Sequence, residues 1–338
     1  MRRRSFLTLP AFSLAPPLPR EPIRPAALKT GDAVGLITPA TYVSDPDQLA
    51  LVVRTVEYFG LKPKFGRNVR KRNGYLGGSI EERLEDLHAM FRDPDVRGVF
   101  CIRGGYGSGQ LLDSIDYDLI RRNPKVFLGY SDITALHLAI QKMTGMITFH
   151  GPMMLSRFTS YTQDLFRRAL FRAEPIGAIQ NPPETDPLRP SHMHRAVRPG
   201  RARGRLIGGN LSLVASLMGT PYEPDTHGKI LFLEDVGEEP YSLDRMLTQL
   251  RLAGKLSAAA GIVFGECASC RPREFRPAFE SNLSVGEVVD EILGRLEIPV
   301  ASGLVIGHTS DQATLPVGAM ATLDAEKGEL LIEEPGVS

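Results

Sequence analysis

Tryptophan is missing from the 338 residues, so no indole can anchor a ligand or a partner. Three cysteines are too few for a disulfide framework, so a packed core must hold the fold. An excess of charge of one sign is lacking too. Lys and Arg number 40, Asp and Glu 39, and the formal net charge is +1. That balance gives no reason to expect nucleic acid or an anionic surface as partner. No apolar run is long enough to span a bilayer. What abounds is glycine (33) and proline (26), which predicts many tight turns between short elements. With 42% apolar and 23% charged residues the chain is globular in composition, and its length suits two packed domains.

The chain opens Met1-Arg2-Arg3-Arg4-Ser5-Phe6-Leu7, a pattern resembling a twin-arginine export signal. The apolar run Phe6 to Ala15 is too short for a membrane anchor, and Pro10, Pro16 and Pro17 make the region a poor helix. Residues 1–22 are expected to be either such a signal or a disordered basic tail. Periplasmic and cytoplasmic locations both stay open.

From Ala33 onward strand and helix patterns alternate. Val34-Gly35-Leu36-Ile37, Val99-Phe100-Cys101-Ile102, Val126-Phe127-Leu128 and Met146-Ile147-Thr148-Phe149 read as buried strands. Between them, Leu49 to Phe59 reads as a helix. Ser79-Ile80-Glu81-Glu82 is a capping box opening another, with Ile80, Leu84 and Leu87 on its apolar face and Glu82, Arg83, Glu85 and Asp86 elsewhere. This alternation predicts an α/β fold whose first half is a parallel sheet. Glu174 to Gly204 holds six prolines and few core residues, and reads as a connection between domains. Beyond it come a helix capped by Asn210, a strand Lys229 to Leu233, a short strand Gly261 to Gly265, a capping box at Ser284 to Glu287, and a terminal hairpin turning near Lys327-Gly328.

Gly129-Tyr130-Ser131-Asp132-Ile133-Thr134 is the strongest local feature. A buried strand ends, a polar cluster turns, and a helix begins, which lifts a serine clear of the sheet above unpaired helix N–H groups. That placement suits a nucleophile and a developing oxyanion. The spacing departs from G-x-S-x-G at Ile133, and an ordinary helix cap by Ser131 or Asp132 explains the pattern as well. Arg103-Gly104-Gly105-Tyr106-Gly107-Ser108-Gly109 also follows a strand, and its glycines let backbone N–H groups approach a ligand. It fits no nucleotide-binding fingerprint. Both loops are expected at the C-terminal edge of the sheet, where open α/β sheets bind ligands. By context the base is His308 or His150 and the orienting acid Glu234 or Asp235. Cys267-Ala268-Ser269-Cys270 has C-x-x-C spacing but no second pair of ligands, which disfavours zinc and disulfide exchange. Cys101 reads as a core residue.

Taken in order, the Arg103 to Gly107 and Gly129 to Thr134 motifs, Phe149-His150-Gly151-Pro152, Gly208-Gly209-Asn210-Leu211, Leu233-Glu234-Asp235-Val236-Gly237-Glu238 and Gly307-His308 resemble the LD-carboxypeptidases. These are serine peptidases of murein-peptide recycling whose family includes microcin-immunity hydrolases. The resemblance omits only the first thirty or so residues. It implies a Ser-Glu-His triad of Ser131, Glu234 and His308, with the oxyanion against the backbone N–H groups of Gly105 and Asp132. It implies a Rossmann-like parallel-sheet domain at 30–155, a connection at 156–203, and a β-rich α/β domain at 204–335, with the site between the domains. It further implies no cofactor, no metal, no membrane span and often a homodimer. The expected reaction is release of a C-terminal D-amino acid from murein tetrapeptides through an acyl-enzyme. Arg103 is placed to meet the free carboxylate, or equally to make a structural salt bridge. Alternatives are the same triad acting on a peptidyl-nucleotide antibiotic, and a non-catalytic module binding cell-wall peptides.

Overall fold

A computed structural model describes residues 21–338 except 185, 187, 189 and 276. The expected export signal therefore lies, up to residue 20, outside the described residues. Five strands open the fold: β1 (Ala33–Ile37), β2 (Lys62–Phe65), β3 (Val96–Cys101), β4 (Val126–Gly129) and β5 (Thr148–His150). They form a parallel sheet in the order β5-β4-β3-β1-β2, joined by helical connections. Val34 to Ile37 and all of β4 are buried and carry no polar side chain, as a strand covered on both faces requires.

The chain continues through β6 (Gly177–Ile179), β7 (Arg195–Arg198), β8 (Arg201–Asn210), β9 (Ile230–Glu234), β10 (Gly261–Gly265), β11 (Val300–Leu304), β12 (Leu315–Val317), β13 (Met320–Asp324) and β14 (Glu329–Ile332). A second sheet runs β6-β14-β13-β8-β9-β10-β11-β7. Its four central strands, β8 to β11, are parallel, and antiparallel strands flank them. The α/β expectation holds, with one parallel-strand sheet and one mixed sheet. The terminal hairpin pairs Asp324 with Glu329, and both expected capping boxes form, at Ser79 and Ser284.

Three features differ from the sequence reading. First, the stretch expected to be a bare connection at 156–203 contains a helix, Ser160–Phe171, and the strands β6 and β7. Both strands are short and lie at the two edges of the second sheet, where proline-rich flanks are tolerated and composition conceals them. Second, β12 leaves the half expected at 204–335 and pairs antiparallel with β5, Leu315 opposite His150. Third, helix Ile80–Arg92 exposes Ile80 and buries Arg83 and Asp86. Arg83 Nη1 donates to the carbonyls of Pro39 and Gly107, each at 2.9 Å, and Asp86 accepts from the Asn68 N–H. Polar residues take this helix face because loops pack against it and offer them backbone partners. The end of β8 in the second sheet also meets the helix that follows β4, Thr134–Thr144, where the Asn210 N–H donates to Thr134 Oγ1 at 2.9 Å.

Candidate active site

Ser131 follows β4 through the extended residue Tyr130 and opens a single 3-10 turn, Ser131–Ile133, ahead of helix Thr134–Thr144. Its φ is +63°, a left-handed conformation that a side-chain-bearing residue adopts only where its surroundings enforce it. Neither Ser131 nor Asp132 caps the helix with its side chain, so the ordinary-cap reading does not describe this turn. The buried Asp132 carboxylate reaches across to the glycine loop instead, accepting the Gly107 N–H at 3.3 Å and the Ser108 N–H at 2.8 Å. Arg83 braces the same loop from behind through the Gly107 carbonyl.

The loop approaches the serine closely. A Cβ on Gly104 would lie 3.1 Å from Ser131 Cβ and 3.4 Å from the Asp132 nitrogen. One on Gly105, at φ +110°, would lie 2.2 Å from Thr41 Oγ1. Gly105, at positive φ and with no room for a Cβ beside Thr41, must be glycine, and Gly104 leaves the serine side only tight space. Among the described residues, neither the Gly105 nor the Asp132 N–H donates to a protein acceptor. Two donors beside the serine hydroxyl are thus left for a ligand.

From the second sheet, β9 ends in Glu234, fully buried, and His308 stands on the loop after β11. His308 Nδ1 lies 2.7 Å from Glu234 Oε2, and its Nε2 lies 3.0 Å from Ser131 Oγ. A carboxylate only accepts, so the hydrogen on Nδ1 points at Glu234 and Nε2 is left to accept from the hydroxyl. Gly307 makes this possible, because a Cβ there would sit 2.1 Å from Glu234 Oε2. Burial pulls the His308 pKa down, but the hydrogen bond and charge of Glu234, with Asp235 and Cys270 adding, raise it above the usual 6.5. Asp235, the other acid the spacing allows, turns away and accepts from Asn210 Nδ2, Ser212 N and Ser212 Oγ. His150, the other histidine, is fully buried behind the site. Its Nε2 donates to the Ile306 carbonyl at 2.7 Å, and burial pushes its pKa down to about 4.

A cleft of about 510 Å³ opens over these groups. Ser131 and His308 form part of its floor, Gly104 and Gly105 one side, and Met153, Leu155 and Val236 its apolar walls. Arg103 lines it and, among the described residues, makes no salt bridge and no side-chain hydrogen bond. Sequence reasoning overlooked the braces Asp132 and Arg83. A buried-charge signal for them exists only once the loop is folded over them.

Comparison with known proteins shows which families and folds the chain resembles. A family model for the LD-carboxypeptidase N-terminal domain matches residues 34–151, and one for the LD-carboxypeptidase C-terminal domain matches 203–323. A probable murein peptide carboxypeptidase of Bacillus subtilis is 41% identical over 320 residues, covering 93% of this chain and 95% of that protein. The microcin C7 self-immunity protein MccF of Escherichia coli is 30% identical over 344 residues, covering 94% and 97%. A solved structure of a MccF variant in complex with adenosine monophosphate superposes with a TM-score of 0.83 at 27% identity, covering 94% of this chain and all of that one.

Proposed function

The chain belongs to the LD-carboxypeptidase family of peptide-bond hydrolases, and on that premise we propose that it removes a C-terminal D-amino acid from murein tetrapeptides with Ser131, His308 and Glu234 as a triad. The observation that carries this reading is the unbroken relay Ser131 Oγ, His308 Nε2, His308 Nδ1, Glu234 Oε2, at 3.0 and 2.7 Å. The murein substrate is favoured by the likeness to the Bacillus subtilis protein.

Each residue has a definite task. His308 accepts the hydroxyl proton as Ser131 Oγ attacks the carbonyl carbon before the terminal residue. Glu234 holds the ring in the tautomer this needs and stabilises the imidazolium that forms. The carbonyl oxygen, now negative, is received by the N–H groups of Gly105 and Asp132. His308 then returns its proton to the departing amino group, the D-amino acid leaves, and water, deprotonated by the same histidine, hydrolyses the ester on Ser131. Arg103 meets the free carboxylate that distinguishes a C-terminal residue from an internal one, a pairing suited to a guanidinium fork.

The likeness to MccF favours a second reading, hydrolysis of a peptidyl-nucleotide. Against it, Tyr130 is the sole aromatic residue among those lining the cleft, its ring lies 4.8 Å from that of His308, and the chain has no tryptophan to stack a base. The deciding assay incubates the purified protein with a murein tetrapeptide and with a peptidyl-adenylate analogue. Release of D-alanine from the tetrapeptide, abolished in Ser131→Ala, is the expected result. Cleavage of the nucleotide conjugate alone overturns the substrate, and undiminished activity of Ser131→Ala overturns the triad.

A further inference from the structure

The turn Cys267-Ala268-Ser269-Cys270, just beyond β10, takes no part in the reaction above. Among the described residues no group of three His, Cys, Asp or Glu could hold a metal there. Disulfide exchange, disfavoured by the sequence alone, is reopened by the geometry. The Cys270 N–H donates to the Cys267 carbonyl at 3.4 Å, closing a four-residue turn with Ser269 at φ +57°. A turn of this kind keeps its first and fourth Cα atoms within about 7 Å, close to the span of a disulfide. Both cysteines are free and half-buried, and Ser269 between them is exposed.

The two sulfurs are unequal. Cys270 takes a hydrogen bond from the Cys267 thiol and another from the Glu238 N–H, which together hold it below the usual thiol value of 9.0 against its burial and the nearby charges of Asp235 and Glu238. Its bond to Cys270 and its deeper burial, with Asp235 and Glu234 adding, push Cys267 up. A sulfur held below its usual value beside a partner pushed above it is the arrangement of an attacking and a resolving thiol. The turn is also tied to the cleft. Ala268 bridges Val236, its carbonyl accepts the Gly237 N–H at 2.9 Å, and Val236 forms one wall.

We propose that Cys267 and Cys270 are a thiol–disulfide exchange site whose closure to a disulfide shifts the Val236 wall of the cleft. The oxidant is a small-molecule disulfide. Cys270 thiolate attacks one of its sulfurs, the S–S bond breaks, and one thiolate leaves and takes up a proton. Cys267 then gives up its proton and attacks the Cys270 sulfur of the mixed disulfide, releasing the second thiol. Two protein thiols are oxidised and one disulfide is reduced.

The test exposes the full-length protein to glutathione buffers of graded oxidised fraction, followed by unfolding, alkylation and mass spectrometry. The expected product has lost two hydrogens, with Cys267 and Cys270 protected, Cys101 alkylated, and full reversal by dithiothreitol. Cys267→Ser should accumulate the glutathione adduct on Cys270, and Cys270→Ser should react roughly tenfold more slowly at Cys267. Both thiols staying alkylatable in excess glutathione disulfide overturns the proposal, as does an adduct on Cys270 of the unsubstituted protein that never resolves. The link to the cleft rests on the function proposed above and is read separately, by the rate at which a fluorophosphonate labels Ser131. That rate should differ between reduced and oxidised protein and be constant in the double serine variant. Equal rates overturn the link while leaving Ser131 as the labelled nucleophile. Absent labelling in both forms is instead a failure of the triad.

Discussion

The two sides of the cleft are positioned by different physics. On the first sheet, Ser131 is held by backbone: a left-handed φ, a glycine loop packed against it, and N–H groups gathered by the buried Asp132 carboxylate. On the second, His308 is held by charge, through a short hydrogen bond to the fully buried Glu234. The glycine loop and the strained turn set placement, whereas the His308–Glu234 pair responds to pH near neutrality. One side therefore supplies the geometry and the other decides when that geometry is usable.

Substitutions can break this contrast in graded steps. Ser131→Ala should lower hydrolysis most, by roughly ten thousandfold or more, with the melting temperature hardly changed, because the strained turn is retained. A large loss of melting temperature would mean that the hydroxyl, rather than the backbone, holds the turn. Glu234→Gln should cost roughly a thousandfold to ten thousandfold, since the amide keeps the shape but not the charge that selects the tautomer. In that variant the acidic limb of the pH–rate profile should also move to lower pH, because the group that raises the His308 pKa is gone. An unmoved limb would assign it to another residue. Arg103→Ala should raise KM by roughly tenfold to a hundredfold with little change in kcat, the size of one lost charge-assisted hydrogen bond. A loss confined to kcat would move Arg103 from holding substrate to helping the reaction.

The smallest effect is in stability against pH. Because the folded His308 pKa is raised above 6.5, its contribution is fully present below about pH 6.5 and fades as pH rises through the folded value. Activity runs the other way, needing the neutral ring. The buried His137 and His150, both lowered by burial to about 4, cost stability as pH falls from about 6.5 toward 4. Urea midpoints between pH 8 and 5 should thus fall more steeply for His308→Gln than for the unsubstituted protein. The reverse order would show that His308 gains nothing from Glu234 when protonated.

Much of this was legible in the residues. Continuous apolar runs marked β1, β3 and β4, and the capping boxes at Ser79 and Ser284 placed two helix starts. The polar cluster after β4 marked Ser131. Spacing left His150 and His308 open because each lies at or beyond the end of a strand, and left Glu234 and Asp235 open because adjacent residues at a strand end differ chiefly in the face they take. Family resemblance chose between them; in the structure His308 bonds Glu234 and Ser131, His150 bonds the Ile306 carbonyl, and Asp235 bonds Asn210. Hidden from sequence were contacts between distant segments: β6 and β7, too short and proline-flanked to show a period, and the buried Arg83 and Asp132, whose partners are backbone groups of a loop.

The return of β12 to the first sheet bears on synthesis. As the chain emerges from the ribosome, β1 to β5 can assemble early, but β5 keeps an open edge until Leu315–Val317 arrives. The loop carrying His308 is anchored at one end by β11 and at the other by β12, so the base is set in place by the same late event. A chain truncated before Leu315 should therefore lack both the partner of the β5 edge and the second anchor of the His308 loop.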